Sequence, residues 1–154
     1  MACNGIELGT LRVINNTFIG NQSEDGALFI GMPTQEVYGN VFGWNEGFGL
    51  WYTSIDPTCN CNAYWKNRSD SQGQQWFGAC FYPRGGSLVI DPEFCGRRRG
   101  DYTIAKTSPL LPENYPPGFL EAGCQGVLGA LGVGCDESPT IGSSWGALKR
   151  RFVK

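Results

Sequence analysis

The chain has 154 residues, a net charge of −2 and no histidine. That length supports one domain with a real core, two at most, and the charge supplies no global field for nucleic acid or an anionic membrane. The missing imidazole excludes Ser-His-Asp and Cys-His nucleophile systems and histidine-built zinc sites.

The N-terminus reads "MACNGIELGT". It lacks a basic start followed by an apolar run, so no signal peptide is expected. No stretch of the chain approaches the ~20 apolar residues of a membrane span. With 23 glycines and 9 prolines the composition is turn-rich, more β than α.

From residue 15 onward a motif recurs: an asparagine, two residues later an aromatic, and three later another asparagine. It appears as "NTFIGN", "NVFGWN" and "NAYWKN", starting at Asn16, Asn40 and Asn62, with spacings of 24 and 22 residues. A glycine-led apolar run keeps phase with it, from Gly5, Gly26, Gly49 and Gly86. Each repeat thus holds short extended runs joined by Asn/Gly turns, without helical periodicity. A repeat of this length built from strands and tight turns fits one coil of a parallel β-solenoid, with coils stacked at the ~4.8 Å strand spacing. Stacking predicts a hydrogen-bonded ladder of Asn16, Asn40 and Asn62 at an inward corner, with asparagine tolerating a left-handed backbone there. Phe18, Phe42 and Tyr64, two residues on, are expected to stack in the core. "LGTLRVINN" also fits a leucine-rich repeat, but the later copies do not, and no helical return segment follows.

In the third repeat the gap after the second asparagine swells into a long insertion, residues 68–85. By alignment on the leading glycine, the second apolar positions Leu28, Trp51 and Leu88 fall on one flank. That flank is apolar enough to need a cover from a C-terminal helix or a second subunit. Residues 112–143 are rich in Pro, Gly and Ser and are expected to wrap the solenoid, which occupies 1–111. Residues 144–154, "SWGALKRRFVK", read as a helix with Trp145, Leu148 and Phe152 on one face, docking on the solenoid or a partner.

These residues carry a resemblance. "VINNTFIGN…GALFI" and "VYGNVFGWN…GLWYTS" are similar to coils of right-handed parallel β-helix proteins, the pectate-lyase-like superfamily. "DPEFCGRRRGDYTIAKTSPLLPENYPPG", then "LGALGVGC" and the tail "SSWGALKRRF", resemble the last coil and tail of uncharacterised bacterial secreted β-helix proteins. That group has cysteine where this chain has Leu110 and near Pro117. The resemblance implies an all-β fold, a short right-handed parallel β-helix of about three to four coils. It also implies secreted or cell-surface ancestry, as does the density of cysteines, seven in all. The lack of a visible leader is reconciled with that ancestry if the chain corresponds to the C-terminal part of a longer ancestor. Polysaccharide lyases of the resembled superfamily use an arginine or lysine base beside carboxylate-bound calcium. Arg12, Lys66 and Arg68 lie on the coils here, but no matched acidic calcium ligands accompany them.

Several residues are candidates for binding. Glu24, Asp25 and Glu46 sit at equivalent turns of successive repeats, where stacking would bring carboxylates together. Trp76 and Phe77, in the insertion, are placed to stack on sugar rings. "GRRRGD" reads as a solvated turn, and "DPEF" as an Asp-Pro turn. Cys59, Cys61, Cys80 and Cys95 read as disulfide-forming rather than zinc-binding. Cys80 is expected to tie the insertion to Cys59 or Cys61, with Cys124 and Cys135 tying down the terminal segment. The odd count leaves one thiol over, for which Cys3 is the candidate.

The resulting expectation is a non-enzymatic scaffold or binding module with no catalytic residue, metal or cofactor assigned. It is expected to form a homo-oligomer through its uncapped N-terminal end or its apolar flank, with carbohydrate as a possible partner and neither nucleic acid nor a membrane span. The alternative is a carbohydrate-binding, lyase-like or hydrolase-like protein of pectate-lyase type.

Overall fold

The computed structural model describes residues 11–24, 26–30, 35–52, 58–68 and 86–135. These residues form strands in several sheets with one short α-helix. In chain order the strands are β1 (Leu11–Ile14), β2 (Thr17–Ile19), β3 (Leu28–Ile30), β4 (Gln35–Tyr38), β5 (Val41–Gly43) and β6 (Leu50–Tyr52). They continue as β7 (Thr58–Asn60), β8 (Ala63–Trp65), β9 (Leu88–Val89), β10 (Phe94–Gly96) and β11 (Asp101–Ile104), and α1 spans Pro117–Glu121. The chain visits three parallel sheets in turn: β1-β4-β7, β2-β5-β8-β9 and β3-β6. β10 and β11 close an antiparallel hairpin through a 3-10 turn at Arg97–Arg99. Among the described residues no helix is long and apolar enough to cross a membrane.

Two asparagine ladders fix the register. In the first, the Asn16 backbone N–H and side-chain amide donate to Asn40 Oδ1 at 2.9 and 3.3 Å, and Asn40 does the same to Asn62 Oδ1 at 2.9 and 3.0 Å. The Nδ2 groups of Asn40 and Asn62 reach across to the Val13 and Val37 carbonyls of the preceding repeat. The second ladder, Asn21–Asn45–Asn67, repeats this pattern at the next corner, with Nδ2 donations to the Phe18 and Phe42 carbonyls. Asn40, Asn45, Asn62 and Asn67 are buried. A buried carboxamide is tolerated only when its hydrogen-bonding groups are satisfied, and only a neighbour in strict register satisfies both of these.

The left-handed residue of each corner is not the ladder asparagine. It is the residue before it: Asn15, Gly39, Cys61 and Gly86 at the first corner, with φ of 53°, 68°, 59° and 60°. The asparagine's amide has to point across to the next repeat, so the reversal falls one residue earlier.

Between the ladders Phe18, Phe42 and Tyr64 stack with centroids 5.0 and 5.2 Å apart and planes within 9°. Strand spacing imposes that separation. Val37, Leu50 and Cys59 complete this inner core. Gly49 is required beside it, because a Cβ there would come within 2.8 Å of Phe42 Cβ and 3.0 Å of the Tyr64 ring.

Register also corrects the glycine-based alignment. Leu28 pairs with Leu50, and Phe29 with Trp51. Leu50 is 2% exposed and Phe29 is 59% exposed, so Leu28 belongs to the inner side and Trp51 to the outer. Asn21 and Leu28 are seven residues apart where Asn45 and Leu50 are five apart, and the loop, not the strand, absorbs the excess. A one-residue slip exchanges faces. Leu88 leaves the proposed flank altogether, because it pairs with Ala63 in the second sheet, and Val89 with Tyr64. Gly86 and Ser87 stand where Cys61 and Asn62 stand one repeat earlier, so that corner is reproduced rather than the glycine-led strand. Leu28, Trp51 and Leu88 therefore do not share a surface.

A second core lies outside the second sheet. Its outward residues Val41 and Ala63 meet Ile104, Leu110, Leu111, Tyr115, Phe119 and Leu128 from the chain after β9. The Gly129 and Gln125 N–H groups donate to the Gly39 carbonyl and the Tyr38 hydroxyl, and Ala130 N–H donates to Thr17 Oγ1. A buried disulfide, Cys61–Cys124, fastens the cover to a corner, and Cys95–Cys135 holds its end to β10. Cys61 is thus not joined to Cys80, while Cys59 is itself disulfide-bonded. The insertion from 69 to 85 and the expected helix with Trp145, Leu148 and Phe152 lie outside the described residues.

Asn40→Ala removes four hydrogen bonds of a buried side chain, one fully and three partly buried, and should destabilise the fold by about 3 kcal/mol or more, whereas exposed Asn16→Ala should cost about 1 kcal/mol. Urea denaturation of both variants measures the contrast, and equal losses would contradict it. A second prediction concerns Tyr115, whose hydroxyl donates to the Gly126 carbonyl. Burial, then the neighbouring Tyr38 and Glu113, push its phenol up from 10.0 to about 12. The folded state holds the proton more tightly than the unfolded state. Its contribution is therefore complete below about pH 10 and is lost as pH rises towards about 12. The melting temperature should fall more steeply over that window for the wild type than for Tyr115→Phe.

Candidate functional site

The second corner of each repeat has the same left-handed residue ahead of its asparagine. In the first repeat it is Gly20, with φ 66°. In the next two it is Trp44 and Lys66, with φ of 50° and 54°. Glycine takes this conformation without cost, whereas a side chain costs about 1–2 kcal/mol. Keeping tryptophan and lysine there stores strain at one position of successive repeats, a pattern that points to function. The ladder asparagines Asn45 and Asn67 over-determine the corner and hold that strain.

A cationic and aromatic surface gathers around this corner. The Arg97 guanidinium lies over the Trp44 ring, 4.6 Å from its centroid. Phe94 tilts against Trp44 at 5.7 Å and meets Tyr102 edge-on at 5.6 Å. Lys66 Nζ sits 5.5 Å from the Trp65 ring. A cation above an indole gains about 0.5–1 kcal/mol at an exposed site, enough to orient it but not to neutralise it. Arg68 follows Asn67, with its N–H donating to the Asn45 and Gly47 carbonyls. Arg97, Arg98 and Arg99 are exposed on the 3-10 turn that Gly100 closes at φ 76°. Among the described residues the ion pair is elsewhere, Arg12 to Glu36 at 2.7 Å. Among the described residues no carboxylate is paired with the cations of this surface, in a chain of net charge −2.

The other candidate residues are placed as follows. Glu24 and Glu46 are exposed. Their loops stack: Glu46 N–H donates to the Asn21 carbonyl at 2.9 Å, and Gly47 lies directly against the Ser23 and Glu24 carbonyls. Asp25, Trp76 and Phe77 lie outside the described residues. Asp91 and Glu93 form a turn in which Asp91 Oδ1 accepts Glu93 N–H, and Glu93 Oε2 accepts the Thr107 hydroxyl. Among the described residues no group of three or more His, Cys, Asp or Glu is arranged to hold a metal ion. Cys61 and Cys95 sit in different disulfides and are not available as a shared ligand pair.

Reading "GRRRGD" as a solvated turn overlooked Arg97 against Trp44. The available signal was the residue before each second asparagine: glycine once, then tryptophan, then lysine. Comparison with family models, with curated proteins and with solved structures returns no match for this chain.

Lys66→Gly separates presentation from structure. Relief of the left-handed strain outweighs the exposed cation–aromatic contact, so stability should be unchanged or rise by up to about 1 kcal/mol. Thermal denaturation tests this; a clear loss of stability would make Lys66 a structural residue.

Proposed function

We propose that the chain is a short right-handed parallel β-helix that acts as a rigid binding scaffold, not as a catalyst, with an acidic glycan as ligand. The observation that carries this reading is the strained corner column. Trp44 and Lys66 occupy a position that glycine fills in the first repeat, and Arg97 is docked on Trp44. Three parallel sheets visited in turn, with two asparagine ladders, suit a coiled path of this kind. They also suit the resemblance to pectate-lyase-like and secreted bacterial β-helix proteins. Cations held over indole rings present N–H donors at fixed positions, which suits carboxylate or sulfate groups along a sugar chain.

A glycan array probed with the wild type and with Lys66→Ala/Arg97→Ala tests the proposal. Acidic glycans should be retained by the wild type, weakly at high salt, and about tenfold less by the double variant. Retention of no glycan, or retention equal in both proteins, counts against the site. Release of shortened chains from a retained glycan would replace the non-catalytic reading with an enzymatic one.

A further inference from the structure

The first ladder reaches a position where the backbone keeps the pattern and the side chain does not. Val41, Ala63 and Leu88 each donate a backbone N–H, at 2.8 Å, to the carbonyl of the ladder residue one repeat before, respectively Asn16, Asn40 and Asn62. Pairing of Ala63 with Leu88 and of Tyr64 with Val89 keeps the same register. Ser87 therefore follows Asn62 in the column in which Asn62 follows Asn40. Its side chain lacks the carboxamide that the three asparagines carry.

That carboxamide has a defined part in the earlier steps. Asn40 Oδ1 accepts the backbone N–H and the side-chain amide of Asn16, and Asn62 Oδ1 accepts the same two groups of Asn40. Asn62 donates one N–H of its own amide to the Val37 carbonyl. Its backbone N–H and its other amide N–H meet a serine, which is too short to offer an oxygen at the Oδ1 position. Ser87 Oγ is itself buried without a hydrogen-bond partner. Asn62 is 0% exposed and Ser87 is 3% exposed, so bulk solvent does not satisfy these groups. The chain after β9 lies against this corner: a Cβ on Gly86 would come within 2.6 Å of Ala122 Cβ and 3.2 Å of Cys124 Sγ. Buried polar groups left unpaired in such a place are costly, and proteins rarely keep them.

We infer that this corner is a binding site for one ordered water molecule, which takes the place of the carboxamide oxygen that Ser87 does not supply. The water accepts the backbone N–H and the side-chain amide N–H of Asn62 and donates to Ser87 Oγ. Three such hydrogen bonds are the usual complement of a buried water. Serine is shorter than asparagine by a carbonyl and an amino group, and the water fills that difference. An anion would satisfy the same donors, but Cys61, Gly86, Ala122 and Cys124, which adjoin the corner, carry no positive charge to offset its desolvation. The water thus ends the ladder at a residue small enough for the Cys61–Cys124 clamp to close beside it. The inference rests on the ladder geometry and is independent of the glycan reading.

Water-selective NOE spectra of the isotope-labelled full chain test the site. The backbone and side-chain amide protons of Asn62 should show cross-peaks to a water of long residence. The Asn40 backbone amide, bonded to Asn62 Oδ1, should show none. Ser87→Asn should abolish the Asn62 cross-peaks, because its own Oδ1 displaces the water. Ser87→Ala should keep them, because both N–H donors remain and no exchanging hydroxyl is left to relay the signal. Loss of the peaks in Ser87→Ala assigns them to the serine hydroxyl and overturns the proposal, as does their persistence in Ser87→Asn. A wild type without the peaks, or with an Asn62 amide shift that follows chloride concentration, overturns it as well.

Discussion

The carboxamide buried between repeats is the constraint on which this structure depends. Asn40 accepts from Asn16 one repeat before, donates to the Val13 carbonyl of that same repeat, and donates to Asn62 one repeat after. An apolar core is non-directional and would tolerate small shifts between stacked strands. A buried amide would not, because a misplaced register leaves a desolvated donor or acceptor at a cost of about 1–3 kcal/mol. With a ladder at both ends of the same strand, that strand's length and its rotation are both fixed. The near-parallel aromatic rings follow from that registration rather than cause it.

Once the corners are fixed, side chains on either side of them divide into two cores. Inward positions form the aromatic column. Outward positions of the same strands, Val41 and Ala63, are apolar and receive the chain that follows β9. The cover is clamped at a buried, left-handed corner: Cys61, which takes that conformation, is also the cysteine bonded to Cys124. A thiol placed by a reversed backbone in front of a buried asparagine has few ways to move, which positions it for cross-linking. At the opposite corner the same reversal projects Trp44 and Lys66 outward. One backbone device thus serves closure at one corner and display at the other.

The repeat has no symmetry about its middle, and this matters for recognition. A ladder of amides has a donor end and an acceptor end, unlike a stack of methyl groups. Here Ser87 and Asn67, at the far end of the two ladders, are buried, whereas Asn16 and Asn21 are exposed. The surface around Trp44 is defined by charge instead, so its contacts respond to salt.

The sequence by itself determined the repeat, its spacing and the residues of one ladder and one aromatic column. Asn16, Asn40, Asn62, Phe18, Phe42 and Tyr64 recur with a side-chain type whose burial makes sense only when stacked. It also carried the all-β character and the preference for disulfides over metal. It did not determine which residue of each corner turns left-handed, because asparagine, glycine, cysteine, tryptophan and lysine all fill such positions here. The face of Leu28 and the sheet of Leu88 were hidden for a related reason: the glycine that starts each run is a local marker, whereas register is set by the amides several residues away. The pairing of Cys61 with Cys124 and the approach of Arg97 to Trp44 join positions 63 and 53 residues apart. Those contacts exist only because the cover folds back over the repeats, and they depend on three-dimensional packing that no local pattern encodes.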